Sequence, residues 1–307
     1  MIRYYRIESG KIAESTLPGP VAIYVAPNEA ETKELLEVHK LDPHNLQSAL
    51  DPDEIGRFEL EEDHIAMILK RPCNYSSKDN FLFRVMSAGV FLFKEKLIVV
   101  LASDIPLFEG KQATRTNNLQ DVLLRMIYVI INHFMGHLKV INMLSESLET
   151  KINTSIENKH LLNMFTLEKS LVYFLSALND NNSVISKLKS YAAKIGFTPV
   201  NLELLEDIII DNSQCLTLAG TYSSILSGLM DARASLVSNN LNVMMKNLNA
   251  IVIAVAVPSF FAGVGGMSEF SAITGIRNWG FAYPVFLAVM GAIGVSVYYL
   301  IKKFENY

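Results

Sequence analysis

Polar residues set into an apolar stretch are where this chain could do chemistry. Stepping by three and four from Asp231 gives Ser235, Ser238, Asn242, Met245, Asn249, Val252, Ala256, Ser259, Gly263 and Gly266. The mean step is ~3.5 residues, the spacing that keeps one helix face towards a common axis. That face is small or polar, whereas Ile251, Ile253, Val255, Val257, Phe260 and Phe261 fill the others. Two readings fit it. Small residues let helix backbones approach one another. Amides and hydroxyls around a shared axis would instead meet water, because polar groups at membrane depth need a partner or a wet path. Asn242 and Ser259 favour the second reading. Asp231 continues the line, either into a stalk lumen or towards Arg233 of a neighbouring copy. The stretch closes in AGVGGMSEF, where Gly266, Met267, Ser268 and Glu269 put carbonyls, a hydroxyl and an acid at the mouth of an apolar segment.

Other clusters carry weaker chemistry. His133 and His137 lie one helical turn apart in HFMGH and could both touch a zinc ion. No cysteine or nearby acid completes the set, although Glu146 is on the same helix, and packing histidines are the simpler reading. The acidic run Asp51, Asp53, Glu54, Glu59, Glu61, Glu62, Asp63 could gather cations, or form a solvated loop and strand edge. Cys73 and Cys215 show no metal spacing and fit core thiols in a reducing compartment. No phosphate-binding glycine loop and no nucleophile–base pairing is legible, so no enzyme is expected. The net charge of −4 argues against nucleic acid as a partner.

The elements that position these residues follow from the pattern. The chain has 307 residues, half of them hydrophobic, and a mean hydropathy of +0.25 that is high for a soluble protein. The excess is concentrated: no charge occurs from Ala250 to Met267 or from Phe281 to Ile301. Each run can cross a hydrocarbon core as a helix. Lys246 precedes the first run and Lys302 and Lys303 follow the second, while the loop between them carries only Glu269 and Arg277. Both termini are therefore expected in the cytoplasm. The start, MIRYYRIESGK, lacks the apolar core of a signal peptide.

Upstream, VAIYV (21–25), IAMILK (65–70), FLFRV (81–85), AGVFLF (88–93) and KLIVVL (96–101) predict strands, and NEAETKELLEVHK (28–40) predicts a helix. Beyond Asn118 no proline occurs until Pro199, and leucines at three- and four-residue steps predict helices over roughly 118–150 and 152–195. From Asn201 to Gly266 only Pro258 interrupts a helical pattern on the order of 100 Å long, a stalk passing into the membrane. Two spans cannot enclose a pore, so conduction requires an oligomer.

Three segments, SGLMDARASLVSNNLNVMMKNL (227–248), FFAGVGGMSEF (260–270) and WGFAYPVFLAVMGAIGVSVYYLIKKF (279–304), resemble the CorA-type magnesium transporters. DPDEIGRFELEEDHIAMILKRP (51–72) resembles that family's cytosolic sheet more loosely. The resemblance implies an α+β membrane protein, a funnel-shaped homopentamer with a cytosolic α/β/α domain. It implies a cytosolic α/β and helical domain over 1–198, a stalk over 199–247, a first span over 248–267, an outer loop over 268–280, a second span over 281–301 and a basic cytosolic tail over 302–307.

It also implies a pore-lining asparagine at Asn242, hydrophobic gates at Met245 and Leu248, and a polar ring at Ser259. Helical stepping prefers Asn249 to Leu248, and both stay as candidates. A methionine ring of the family falls on Ala256, a softer constriction. A regulatory metal site would use Asp207, with Asp51 or Asp53 of a neighbouring subunit. The family's Gly-Met-Asn mouth reads Gly266-Met267-Ser268 here, and its preceding tyrosine is Gly265. A serine has a shorter arm and one donor where asparagine has two. The implied function is divalent-cation transport across the plasma membrane, Mg2+ first, gated by intracellular cation. The implied partners are copies of itself, lipid and divalent cations. A Zn2+, Co2+ or Ni2+ carrier, with proton coupling as an option, and a non-conducting sensor or scaffold stand as alternatives.

Overall fold

The computed structural model describes residues 1–108, 116–154, 158–264, 272 and 279–305. The chain divides into two compact units, Met1–Met230 and Asp231–Tyr307. In the first, seven strands form one sheet: β1 (Ile2–Glu8), β2 (Lys11–Ser15), β3 (Val21–Val25), β4 (Arg57–Leu60), β5 (His64–Pro72), β6 (Val85–Phe93) and β7 (Leu97–Leu101). Their spatial order is β2-β1-β3-β7-β6-β5-β4, antiparallel throughout except for the parallel pair β3 and β7.

The sheet is covered on both faces, which is why its inner strands read as unbroken apolar runs. Along β5, Ala66 and Ile68 point to one face, Ile65, Met67 and Leu69 to the other. The first face carries α1 (Glu29–Glu37) and α2 (Pro43–Leu50), whose Leu35, Leu46 and Ala49 pack on Tyr24, Phe91 and Val100. Asn28 and Glu31 cap α1 reciprocally, and Asp42 caps α2 ahead of Pro43 at its first position. α2 sits so low on β6 that a Cβ at Gly89 would lie 2.4 Å from that of Ala49.

The second face carries the long helices α3 (Leu119–Thr154) and α4 (Asn158–Ser190). A short α5 (Ala192–Ile195) follows, closed by Gly196 at φ +81°. The last helix to reach this core is α6 (Pro199–Val264), which contributes Leu205, Ile208, Cys215, Ala219 and Leu226. The start of α6 is tied to that of α3: Asn201 Nδ2 donates to Asp121 Oδ1 at 2.6 Å. Cys215 is a buried core thiol, pushed up to about 12 by burial.

Two expectations need correction. FLFRV is not a strand. A single 3-10 turn, Ser77–Asp79, leads into Asn80 and Phe81 with left-handed backbone, and β6 starts only at Val85. The run is apolar because Phe83 plugs the core, stacked on Tyr75 at 4.0 Å. The second long helix starts at Asn158, because α3 runs on to Thr154, and it ends at Ser190. Strands β1, β2 and β4 and helix α2 add to the expected set.

Among the described residues four helices are long and apolar enough to cross a membrane: Leu119–Lys151, Lys159–Ser190, Pro199–Gly263 and Gly280–Phe304. The first two already have a cover for their apolar side. Leu123, Ile127, Phe134, Leu171 and Phe174 are fully buried. Among the described residues the second unit has no such cover. Ile251, Val252, Ile253, Val255, Phe260 and Phe261 on α6, and Phe281, Leu287, Val295 and Tyr299 on α7 (Trp279–Glu305), are all exposed. A contiguous apolar surface of this extent marks a buried environment outside the single chain.

Candidate permeation path

Within the second unit, α7 lies along one face of α6. Ala250 is 2% exposed and Ala254, Val257 and Pro258 are half-buried. An added Cβ on Gly294 of α7 would come 3.0 Å from the carbonyl oxygen of Ala254. At about 100° per residue the face built by Ala250, Ala254, Val257 and Pro258 is diametrically opposed to Val252, Ala256, Ser259 and Gly263. Those four are exposed. The two sides of α6 are thus distinct: one takes α7, and Val252, Ala256 and Gly263 of the small-and-polar seam face away from it, with Ser259 at the seam's near edge.

Further back on the same line, Asp231, Asn242 and Asn249 are exposed, as are Met245 at 55% and Leu248 at 51%. Both gate candidates project from α6 with half or more of their surface open. The hydroxyl of Ser259 donates to the carbonyl of Val255 at 2.8 Å, leaving its oxygen as an outward acceptor. Ser259 also borders a shallow groove of 630 Å³ between the two helices, with Val255 and Pro258 of α6 and Gly291 and Tyr298 of α7. At the end of α7, the ammonium of Lys302 lies 5.4 Å from the ring centre of Tyr298, an amphipathic pair suited to a membrane–water boundary. Gly266, Met267, Ser268 and Glu269, the expected mouth, lie outside the described residues.

The acidic candidates are spread over the first unit. Asp51 ends α2 and accepts the backbone N–H of Asp53 at 2.9 Å. Both are exposed, as is Asp207 on α6. Asp53 and Glu54 line a groove of 710 Å³ with Lys70, Arg84, Lys169 and Asp180, so cations already share the space with these acids. Arg57 draws in Glu54 at 3.2 Å and Glu59 at 3.3 Å, and the acidic run is in part an ion-pair network. Among the described residues no three metal-ligating side chains of one chain converge.

His133 and His137 serve the core. Their rings meet edge to face at 4.5 Å, and His137 packs against Phe83 at 5.3 Å and Phe174 at 6.2 Å. Burial, and then the neighbouring His133, pushes His137 down to about 4. His133 is pushed down by burial and by the charge of Arg71. Arg71 is fully buried and donates through Nη2 to the carbonyl and hydroxyl of Ser103 at 2.7 and 2.8 Å. Sequence reasoning could not see Gly294, whose importance depends on which helix it touches.

Comparison with known proteins agrees with this architecture. The structure superposes on the complete structure of the CorA magnesium transporter from Methanocaldococcus jannaschii with a TM-score of 0.78 at 21% identity, covering 98% of this chain and 96% of that one. The curated cobalt/magnesium transport protein CorA of Methanocaldococcus jannaschii is 27% identical over 252 residues, which span 79% of this chain and 77% of that protein. Its namesake in Thermotoga maritima is 26% identical over 249 residues, 80% of this chain and 65% of that protein. The family model described as CorA-like Mg2+ transporter protein matches residues 23–303. The chain therefore belongs to the CorA-like Mg2+ transporter family, a family of transporters and not of enzymes.

Proposed function

We propose that the chain carries divalent cations across the plasma membrane, Mg2+ first, through a path lined by α6 in a ring of identical copies. The observation that carries this reading is the division of α6 into two sides. With α7 against Ala254 and Pro258, the exposed seam Val252, Ala256, Ser259 and Gly263 is left for copies of itself. The number of copies is five, as the family resemblance implies, and both termini are cytoplasmic. The spans run over 248–267 and 281–301, with Asn242, Met245, Leu248 and Asn249 where the stalk narrows.

Mg2+ sheds its water shell reluctantly, so a path that admits it hydrated needs neutral hydrogen-bonding groups more than gripping carboxylates. Asn242, Ser259 and Ser268 are of that kind. Glu269, repeated around the mouth, raises the local cation concentration. A negative interior drives uptake: two charges gain roughly 4.6 kcal/mol per 100 mV. Met245 and Leu248 close the path by dewetting. Cytosolic cation held between Asp207 of one copy and Asp51 or Asp53 of the next biases the stalks towards closure.

A second reading, a carrier selective for Zn2+, Co2+ or Ni2+, draws support from Gly266-Met267-Ser268 in place of Gly-Met-Asn, and from relatives named for cobalt as well as magnesium. Flux of Mg2+, Zn2+ and Co2+ into liposomes, for the parent and for Ser268→Asn, tests both. Mg2+ flux supports the first and selective Zn2+ or Co2+ flux the second. No flux in either protein leaves a non-conducting sensor.

A further inference from the structure

Pro258 has no N–H, so the carbonyl of Ala254 lacks the hydrogen bond that an α-helix supplies from four residues on. Along an apolar span no water replaces it, and a neighbouring group has to cover that oxygen. The group present is the backbone of Gly294 on α7. A Cβ built there would lie 3.0 Å from the Ala254 oxygen and 3.4 Å from Pro258 Cγ, so glycine is the residue that lets the two helices close over the gap. Its Cα–H is the weak donor that recurs at such helix contacts. The closeness is particular to this position. A Cβ at Gly291 or Gly280 of the same helix would meet nothing within 4 Å.

We propose that Gly294 is a positioning residue for permeation: seated on Ala254 and Pro258, it sets how the turn around Pro258 is held, and so the aim of Ala256 on the far side and of Ser259 at the groove's edge. A proline turn lacking a ladder bond is a point where a helix can kink. Ala256 and Ser259 flank that point in sequence and present the seam. Pressure from α7 at Gly294 therefore reaches these two rungs of the candidate path first. The inference rests on the transport reading above.

The test uses the full chain, purified in detergent and reconstituted in liposomes, as Gly294→Ala, Pro258→Ala, the double variant and Gly291→Ala. Gly294→Ala lowers the unfolding midpoint by about 2–4 °C and changes the Mg2+ to Co2+ flux ratio severalfold, while Gly291→Ala changes neither. In the Pro258→Ala background both effects shrink, because residue 258 then supplies the N–H that draws the Ala254 oxygen into the ladder. A Gly294→Ala protein that folds only in that background counts in favour. Equal effects in both backgrounds, misfolding in both, or an unmoved flux ratio with a conducting parent overturns the inference and leaves the transport reading intact. A parent that conducts no cation overturns the transport reading, and the role of Gly294 in permeation falls with it.

Discussion

The side-chain amide of Asn181 acts as a strand for Lys70. Its Oδ1 accepts the backbone N–H of Lys70 and its Nδ2 donates to the backbone carbonyl of the same residue, each at 2.7 Å. The register explains the need. β4 pairs with β5 only as far as Arg57 opposite Ile68, so the edge of β5 beyond that point has lost its neighbour. Asn181 is fully buried on α4, and one amide satisfies both orphaned groups. Replacing it by leucine keeps the bulk and strands two buried polar groups. Asn181→Leu is expected to lower stability by about 2–4 kcal/mol, read as a shift of the urea midpoint at unchanged slope. An unmoved midpoint would show that the bonds contribute nothing net.

Acid should loosen the first unit through His137. Its folded value lies near 4, below the usual 6.5, because the aromatic cage favours the neutral ring. A base depressed in the folded state contributes stability that is complete above the unfolded value. The contribution is lost as pH falls from 6.5 towards 4. The loss is about 3 kcal/mol. His137→Phe should flatten the fall in melting temperature across that window without abolishing it, since His133 and His64 are pushed the same way by burial. A variant with the parent's pH profile would assign the acid sensitivity elsewhere.

The seam makes a sharp demand on Ser259. If it faces a conduit, Ser259→Leu should cut Mg2+ flux by about tenfold or more, equivalent to ~1.4 kcal/mol on the barrier. Phe260→Leu, a conservative change off the small-and-polar line, should leave flux near the parent's. The comparison needs equal amounts of assembled protein in the liposomes. Similar losses from both would mean that α6 is turned differently in the assembly.

Asp207 is exposed, and among the described residues it belongs to no cluster of three metal-ligating side chains. The regulatory role proposed for it therefore calls for ligands from a neighbouring copy. Asp207→Ala should weaken inhibition by Mg2+ enclosed inside the liposomes, with little change in the flux seen at zero internal Mg2+. Inhibition as strong as the parent's would remove Asp207 from the mechanism.

How much was legible depended on burial. β3, β5 and β7 are covered on both faces, and their runs were plain in the sequence. β1 and β2 sit at one edge, where Arg3, Arg6, Lys11 and Glu14 break the apolar signal. β4 is four residues long inside an acidic run. FLFRV misled because a loop that plugs a core and a buried strand have the same composition. The start of α2 is legible, with Asp42 as cap and Pro43 behind it. On the candidate path, stepping by three and four found the seam, since helical phase is a property of one segment. It could not find Gly294, because contact between two helices is not encoded in the period of either.

One further consequence lies in the order of the elements. All seven strands, residues 2–101, leave the ribosome before α3 begins at Leu119. α3 and α4 are apolar enough to be taken for anchors by the insertion machinery. The half-built sheet, with Val90, Leu92, Val99 and Leu101 on the waiting face, is on hand to claim them as they emerge. Only α7 and the end of α6, made last, find no such claimant and are left for the bilayer. The gene's linear order thus doubles as a sorting rule for which greasy helices go where.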